Sequence, residues 1–360
     1  MDDFNNDYFC VLPFFGYEYY EDVGGSHCCL LPSTYNINEI RQDILNSKRS
    51  KWCAACWNLE DKGLKSDRLL KNATMDFYAD RDIRFIEQDV KEGKYSEVLV
   101  KISSTNLCNA TCTTCNSSSS SAWGALARHN GIESKPYSKI SKSRLDNIDF
   151  PNLVTLNLLA GEPLLEPITF EILEKLLESD NTECFVSITT NGSIILNTQK
   201  LDMLKKFKKL NINVSVDGLG PVFEYLRYPL NWKEVVENIA VFRTIADTVS
   251  VSYTISNLNV LYHRETTKWF HDQNLDYILN PVINPSYFRP GALIDSVKQN
   301  ILDTQGTTKD LDFLLNTNNS PKDELDFHRM LTEVKLQDSW KNINIKDYLP
   351  EFYNLIAEYY

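Results

Sequence analysis

The sequence predicts an α/β fold with a mainly parallel sheet, preceded by a cysteine-rich segment and followed by a helical tail. Three observations lead to this prediction. From residue 97 onward, six strand-like runs alternate with stretches of helical periodicity. Five of the nine cysteines fall within the first 56 residues. No apolar run reaches the length of about 18 residues that a membrane-spanning helix needs.

The predicted strands are short runs rich in β-branched residues, and amphipathic stretches separate them. The strands cover residues 97–103, 153–159, 184–190, 212–216, 248–255 and 277–282, and the clearest helices cover 167–179 and 232–245. Alternating strand–helix units predict a parallel sheet with right-handed crossovers. Six units fit a partial (β/α)6 TIM-type barrel or a doubly wound sheet, and in both architectures ligands bind at the carboxyl ends of the strands.

The two flanking regions have a different character from the strand–helix core. Residues 1–90 are aromatic-rich and irregular, with short helices expected at 38–45 and 76–91. A core this small, with this many cysteines, is typical of a segment that a metal holds together. The polar tail, residues 301–360, predicts helices at 322–336 and 349–359. The expected domains are therefore 1–90, 91–300 and 301–360.

Charge and cysteine usage limit the classes of partner. Asp and Glu number 49 against 37 Lys and Arg, a net charge of −12. This balance disfavours duplex nucleic acid and anionic membrane surfaces as partners. Residues 1–7 are acidic and lack the basic flank and apolar segment of a secretory signal, so we expect a cytoplasmic protein. In that compartment cysteines serve metal or redox chemistry more often than disulfides.

Cys108, Cys112 and Cys115 follow the first predicted strand and therefore lie on the first βα loop. Three thiolates on one short loop suit a cubane 4Fe-4S cluster, and three ligands for four irons leave one iron open to a substrate or cofactor. Zinc is the alternative. A structural zinc ion needs four ligands, and the nearest histidine, His129, lies 14 residues beyond Cys115.

The spacing of these cysteines, with three and then two residues between them, resembles the cluster motif of the radical S-adenosylmethionine (SAM) enzymes. In that family the motif lies on the loop after strand one of a partial barrel. Thr114 stands where the family usually has an aromatic residue. After the second strand, Ala160-Gly161-Glu162-Pro163 resembles the family's Gly-Gly-Glu-Pro, with Ala in the first position. The resemblance implies that Gly161 and Glu162 bind the SAM amino group, and an ammonium does require such acceptors.

Two further loops resemble the peptide-modifying branch of the family, although Asn-Gly and Asp-Gly are also ordinary turn dipeptides. The loops follow the third and fourth strands and read Thr189-Thr190-Asn191-Gly192 and Ser215-Val216-Asp217-Gly218. The resemblance implies cofactor contacts from Thr190 and Asn191, a partner for the SAM ribose in Ser215, and a bidentate partner for the SAM carboxylate in Arg227. Asn257 is a weaker candidate.

A second cysteine group lies at the N-terminus and comprises Cys10, Cys28, Cys29, Cys53 and Cys56. The group resembles the twitch domain, which carries an auxiliary iron–sulfur cluster, as do the surrounding residues Trp52, Trp57, Glu60, Gly63, Ser66 and Arg68. Adjacent cysteines on an extended chain point in opposite directions, so only one of Cys28 and Cys29 should bind. The first of the pair matches the module better, which makes Cys10, Cys28, Cys53 and Cys56 the expected ligands. A structural zinc site with four cysteine ligands is the alternative.

The resemblance implies an enzyme that cleaves SAM reductively to a 5′-deoxyadenosyl radical and abstracts hydrogen from a substrate C–H. A peptide is the first expectation for the substrate. The alternatives are dehydrogenation or rearrangement of a sugar, aminocyclitol or nucleoside, and an iron–sulfur or zinc module for structure or electron transfer without SAM turnover. A reducing partner such as flavodoxin or ferredoxin is implied. Placement of the auxiliary cysteines before the barrel resembles a subset that includes phage-borne proteins. No residue of the sequence is identified as catalytic.

Overall fold

The computed structural model describes residues 8–21, 24–61, 63, 65–78, 83–316 and 322–360. The predicted helix at 76–91 corresponds to two helices, and residues 79–82 between them lie outside the described residues. The α-helices are α1 (Leu12–Phe15), α2 (Ile37–Leu45), α3 (Ala54–Glu60), α4 (Asp67–Tyr78), α5 (Ile83–Lys91), α6 (Ser121–His129), α7 (Lys142–Leu145), α8 (Pro167–Glu178), α9 (Thr198–Leu204), α10 (Pro221–Leu226), α11 (Trp232–Phe242), α12 (His263–Asp272), α13 (Asp295–Gln305), α14 (Lys309–Asn316), α15 (Asp323–Lys341), α16 (Ile345–Tyr348) and α17 (Pro350–Ile356).

Eight strands form one sheet. In chain order they are β1 (Gly16–Tyr19), β2 (Gly25–Ser26), β3 (Leu99–Ser103), β4 (Thr155–Leu159), β5 (Phe185–Thr190), β6 (Lys209–Ser215), β7 (Thr248–Ile255) and β8 (Tyr277–Pro281). The order across the sheet is β2-β1-β3-β4-β5-β6-β7-β8. The pairs β1–β3, β3–β4, β4–β5 and β7–β8 are parallel, and β1–β2 is antiparallel.

The six predicted strands are β3 to β8, and the predicted α/β fold with a helical tail is confirmed. Their ends differ from the prediction by three residues at most. The six strands follow one another in the sheet in chain order, without the reversal that defines a doubly wound sheet. This order is the winding of a (β/α) barrel.

The N-terminal segment is more regular than the sequence indicated, because β1 and β2 extend the sheet. β1 pairs in parallel register with β3, from Gly16 beside Leu99 to Tyr19 beside Ile102. A strand of four residues, next to one of two, is too short for an alternating pattern to be read from sequence.

Side-chain caps fix where several helices begin, because they satisfy amide groups that have no partner inside the helix. The capping oxygens belong to Asn36 for α2, Ser120 for α6, Asn197 for α9, Asn231 for α11 and Asn344 for α16. Each capping side chain accepts a hydrogen bond from a first-turn amide while the backbone of its own residue stays extended. The helix therefore begins directly after the capping residue.

The chain forms two compact units. The first unit comprises residues 1–105, 138–188 and 197–211, and the second comprises residues 106–137, 189–196 and 212–360. A hydrophobic cluster in the first unit surrounds the N-terminal cysteines and includes Phe14, Ile40, Met75 and Ile86. Within the described part of the chain, every helix is too short or too polar to cross a membrane.

In the second unit, α15 buries one face along its whole length. The buried positions recur at the three- and four-residue spacing of a helix, at Phe327, Met330, Leu331, Val334, Gln337, Asp338 and Lys341. Asp326, near the start of the helix, is buried as well. The face is apolar from Phe327 to Val334 and polar in its last two turns. Burying an amide, a carboxylate and an ammonium at one helix end costs free energy unless each finds a partner.

Candidate metal centres

The loop that carries Cys108, Cys112 and Cys115 lies in the second unit and is fixed by backbone hydrogen bonds. The amide of Thr111 donates to the carbonyl oxygen of Tyr228 (2.7 Å), and the amide of Thr113 donates to that of Leu226 (2.8 Å). Within the loop, the amide of Cys115 donates to the Cys112 carbonyl oxygen (3.0 Å). The three thiols are therefore presented by a backbone that is already ordered.

Helix α6 secures the same loop from its N-terminus. The Ser120 hydroxyl caps the helix and donates to the carbonyl oxygen of Ala110 (2.7 Å). The Ser121 hydroxyl accepts from the amide of Cys108 (3.1 Å), and the indole Nε1 of Trp123 donates to the Cys112 carbonyl oxygen (2.8 Å). The serines that follow the cysteines thus connect the start of α6 to the cysteine loop.

The spacing of the three thiols fits a cluster better than a single ion. One group of three His, Cys, Asp or Glu ligand atoms within 4.8 Å of one another occurs among the described residues, and it is Cys28, Cys29 and Asp67. At least two of the three loop sulfurs are therefore more than 4.8 Å apart, whereas the sulfurs on one zinc ion are about 3.8 Å apart for Zn–S bonds of about 2.3 Å. A cubane gives each thiolate its own iron, which requires the wider spacing.

Burial keeps the thiols of Cys112 and Cys115 protonated until a metal binds. Burial raises the pKa of the Cys112 thiol to about 12 and also raises the pKa of the Cys115 thiol. Because only the thiolate binds iron, assembly of a cluster here releases protons, and positive charge nearby favours it.

Arg227 is one of two buried cations that act on the cysteines of this loop. Its Nη2 donates to Asp217 Oδ1 (3.0 Å), and its Nε lies 2.8 Å from Oδ2 outside hydrogen-bond geometry. Asp217 also accepts from the amide of Thr254 (2.9 Å). The sequence assigned Arg227 to the SAM carboxylate. One edge of its guanidinium contacts Asp217, so only its remaining N–H groups are available to bind a SAM carboxylate.

Lys341, at the end of α15, is the second cation. Its Nζ donates to Gln337 Oε1 (3.0 Å) and lies 4.9 Å from the ring centroid of Trp123. Gln337 in turn donates through Nε2 to the carbonyl oxygen of Thr113 in the cysteine loop (3.1 Å). Nothing in the sequence pointed to this lysine, because it lies in the tail, far from the cysteines along the chain.

The loop after β5 is bonded to the cysteine loop through Asn109, which stands between Cys108 and Cys112. Asn191 Nδ2 donates to Asn109 Oδ1 (2.8 Å), and Asn109 Nδ2 donates to Ser193 Oγ (2.9 Å). Thr190 Oγ1 accepts from the amide of Gly192 (3.0 Å), which shapes the turn. The structure therefore brings the expected cofactor residues Thr190 and Asn191 beside the cysteine motif.

Gly192 is required at this turn for two reasons. Its φ of +78° is in the left-handed region, and an added Cβ would lie 2.8 Å from Val214 Cγ1 and 3.0 Å from Val235 Cγ1. Ser215 is the last residue of β6 and is half-buried. Asn257 is buried, and its Oδ1 has no hydrogen-bond partner among the described residues, so it offers an acceptor to a ligand N–H.

Gly161 and Glu162 lie in the first unit, on the loop after β4. Ala160 and Gly161 both have positive φ, of +72° and +56°. Glu162 is fully buried, and its Oε1 accepts from the amide of Leu164 (3.1 Å). A non-glycine residue in the left-handed region is strained, and such strain is concentrated at functional loops.

A pocket in the first unit brings the four expected N-terminal ligands together. Cys10, Cys28, Cys53 and Cys56 all line it, together with Asp67 and Arg68. Cys29 is exposed and is not among the lining residues. The expectation that Cys28 and Cys29 point in opposite directions is nevertheless wrong, because their sulfurs and an oxygen of Asp67 lie within 4.8 Å of one another. Burial raises the pKa of the Cys53 thiol to about 11 and raises the pKa values of Cys10 and Cys56.

Two residues of α4, one turn apart, hold the chain at Cys10. Arg68 Nη1 and Asn72 Nδ2 both donate to the carbonyl oxygen of Phe9 (2.7 and 2.9 Å). Asn72 Oδ1 accepts from the amide of Val11 (3.0 Å). The backbone on both sides of the cysteine is therefore fixed.

The hydrogen-bond donors in this pocket fit a sulfide-rich cluster. The Ser50 hydroxyl and the Trp57 indole N–H are buried, line the pocket and have no hydrogen-bond partner among the described residues. Backbone amides reach two of the thiols, from Leu30 to Cys28 Sγ (3.4 Å) and from Leu12 to Cys10. Sulfides and thiolates accept such bonds, and hydrogen bonds to sulfur tune cluster potentials.

The fold and the cysteine loop define a class of protein: a (β/α) barrel-type core with three cysteines on the loop after its first strand. Within that class, residues 102–269 match the family model of the Radical SAM superfamily. Members of this superfamily are enzymes that use a 4Fe-4S cluster and SAM. No curated protein sequence matches the chain.

Several solved structures are similar to this chain at low identity. Native anSMEcpe with bound AdoMet is 16% identical with a TM-score of 0.40, and the match covers 68% of this chain. Streptococcus suis SuiB bound to precursor peptide SuiA is 14% identical, with a TM-score of 0.37 over 61% of this chain and 48% of SuiB. The radical S-adenosylmethionine methyltransferase TsrM from Kitasatospora setae, with cobalamin and a 4Fe-4S cluster bound, is 10% identical with a TM-score of 0.35, over 50% of this chain and 34% of TsrM. The chain spans 61% of the length of anSMEcpe.

Proposed function

We propose that this chain is a radical SAM enzyme whose catalytic 4Fe-4S cluster is held by Cys108, Cys112 and Cys115. The observation that carries the proposal is this ordered loop of three thiols, which lies inside the region that matches the superfamily model. When bound, the cluster and SAM supply one-electron cleavage of the sulfonium and hydrogen abstraction from a substrate C–H.

Residues of this chain would bind and orient SAM. Glu162, buried on the loop after β4, and the backbone at Gly161 would accept hydrogen bonds from its amino group. The free N–H groups of Arg227 would bind its carboxylate. Its nucleoside would be contacted by Thr190, Asn191 and Ser215. The hydrogen bond from Asn191 to Asn109 supports this assignment, because it joins the loop after β5 to the loop that carries the three cysteines.

The test is SAM cleavage by protein that is reconstituted anaerobically with iron and sulfide. With SAM and dithionite, the unsubstituted chain should release 5′-deoxyadenosine. Cys112→Ala should abolish this release, whereas Cys29→Ala, which removes an exposed thiol, should leave it unchanged. Full activity of Cys112→Ala would refute the ligand assignment. If the chain bound zinc as its only metal, the proposed enzymatic function would be refuted.

We also propose that the N-terminal pocket holds a second iron–sulfur cluster, as in a twitch domain, with Cys10, Cys28, Cys53 and Cys56 as ligands. Support comes from the pocket that these four cysteines share and from the unpartnered donors of Ser50 and Trp57 that line it. In this proposal residues 1–90 carry the auxiliary cluster, residues 91–300 the SAM chemistry and residues 301–360 a helical extension.

Iron and sulfide analysis tests the second cluster. Two cubanes give about eight irons per chain and one gives about four. Cys28→Ala should lose part of the N-terminal iron, and Cys29→Ala should keep it. About four irons together with one zinc ion would mean that the pocket is a zinc site.

A peptide is the proposed substrate, because the loops after β5 and β6 resemble the peptide-modifying branch. Flavodoxin or ferredoxin is the proposed electron donor. Incubation with candidate peptides and with sugars or nucleosides, followed by mass spectrometry for loss of hydrogen, decides between the substrate classes. Transfer of deuterium from a labelled peptide to 5′-deoxyadenosine would support the peptide, and transfer from a labelled sugar or nucleoside alone would refute it.

A further inference from the structure

Lys341 is a buried ammonium that the structure does not pair with a carboxylate. Its exposed fraction is 6%, and no carboxylate oxygen in the described part of the chain lies within 4.0 Å of its Nζ. Burial lowers its pKa to about 8, so the charged form still predominates at pH 7. Burying a charge without an ion-pair partner is unfavourable, so some group must offset this cost.

The groups around Lys341 belong to the cysteine loop or are bonded to it. Its Nζ lies over the ring of Trp123, whose indole donates to the Cys112 carbonyl oxygen. Its partner Gln337 donates to the carbonyl oxygen of Thr113, between Cys112 and Cys115. Negative charge at Cys112 or Cys115, as in a bound cluster, would therefore act on Lys341 electrostatically.

Two other buried charged groups lie near the loop. Arg227 is paired with Asp217. Asp338 accepts hydrogen bonds from the hydroxyl of Tyr225 (2.8 Å) and the amide of Ile345 (2.7 Å), and it offsets the charge of Lys341 without forming an ion pair with it. Lys341 is therefore the cation near the cysteine loop that has no carboxylate oxygen within 4.0 Å among the described residues.

We propose that Lys341 is a positioning residue that supplies the counter-charge for the cluster at Cys108, Cys112 and Cys115 and favours its reduced form. This inference rests on the proposed function. Three thiolates make a bound cluster anionic, and one added electron makes it more so. A fixed cation in a low-dielectric site stabilises the more negative state. The electron comes from the reductant, and Lys341 keeps its proton throughout.

The proposal predicts a change in the reduction equilibrium of this cluster. In Lys341→Met, reduction should be at least about tenfold less favourable, which is about 59 mV for one electron. The measurement is an anaerobic redox titration with dithionite, followed by electron paramagnetic resonance of the signal that changes when SAM is added. Lys341→Arg keeps the charge and should stay within about threefold of the unsubstituted protein.

Lys335→Met is the matched control. Lys335 lies on the same helix, is exposed, and also sits over an aromatic ring, with its Nζ 4.7 Å from the ring centroid of Tyr360. Its replacement changes the net charge equally, and it should leave the equilibrium unchanged. An equal shift in both Met variants would mean a general effect of net charge and would overturn the role of Lys341.

The stability of the apoprotein separates this role from a structural one. If the cluster is the partner, Lys341→Met should leave the metal-free protein equally stable in urea or stabilise it, while reduction of the cluster becomes less favourable. A loaded Lys341→Met variant with an unchanged equilibrium refutes this inference and leaves the proposed function intact. Failure of the unsubstituted chain to assemble any cluster at the loop refutes both. If Lys341→Met does not fold, the reduction equilibria of Lys341→Gln and Lys341→Arg are compared instead.

Discussion

The salt bridge between Arg68 and Glu60 gives a sharp prediction for the N-terminal pocket. Arg68 Nη2 lies 2.6 Å from Glu60 Oε2 and Nε donates to Oε1 (3.0 Å), with side chains only 5% and 13% exposed. Arg68 also holds the carbonyl oxygen of Phe9 and lies 4.6 Å from the ring centroid of Trp57. Arg68→Met leaves a buried carboxylate without its partner, so we expect a loss of about 3–5 kcal/mol in the free energy of unfolding.

The measurement is urea denaturation of the metal-free protein, with iron content after reconstitution as the second readout. Arg49→Met is the matched control. Arg49 also lies over Trp57, at 5.0 Å, and pairs with Asp61 at 2.7 Å, but the two side chains are 48% and 54% exposed. An exposed pair of this kind contributes little, because solvent screens it, so Arg49→Met should lose much less stability than Arg68→Met. Equal losses for Arg68→Met and Arg49→Met would refute the argument that burial sets the magnitude.

A double variant tests the cause of the loss. In Arg68→Met with Glu60→Met, neither charge is buried alone, so the loss should be smaller than for Arg68→Met by about 1–3 kcal/mol. A double variant that is less stable than the sum of the two single losses would show that packing, and not the unpaired carboxylate, explains the result.

Three further predictions concern single residues. Gly192→Ala should lower the free energy of unfolding in urea by about 2–5 kcal/mol, because the backbone is left-handed there and the added Cβ overlaps two valine side chains. A loss under about 1 kcal/mol would contradict the turn geometry. Ala160→Gly should stabilise the protein by about 1 kcal/mol, because it relieves a positive φ, and destabilisation would contradict this. Burial acts to raise the pKa of Glu60, but hydrogen bonds from Arg68 and Ser66 outweigh it and lower the pKa below 4.5. The pair therefore stabilises the apoprotein above about pH 4.5, and this contribution is lost as the pH falls through the lower folded-state pKa. Arg68→Met should therefore flatten the decline in stability below about pH 5.

Local patterns explain which parts of the fold and the site could be predicted. The strands β3 to β8 follow from runs of β-branched residues, and β7 was predicted at its observed bounds. The cysteine motif follows from spacing within eight residues, which places it on one loop whatever the rest of the chain does. The strands β1 and β2 were missed, because their pairing with distant β3 leaves no pattern in so short a segment.

The sequence by itself determined the chemistry available: three thiols on the loop after the first core strand, and a second cysteine group before it. Tertiary structure decided the choice between a barrel and a doubly wound sheet through strand order, and it put Cys28 but not Cys29 in the pocket wall. It also brought Lys341 and Gln337 of the tail to the cysteine loop, with 224 positions separating Gln337 from its partner Thr113. Spacing along the chain fixes only neighbours within a few residues. Contacts over such distances arise from packing of whole elements, which no local pattern records.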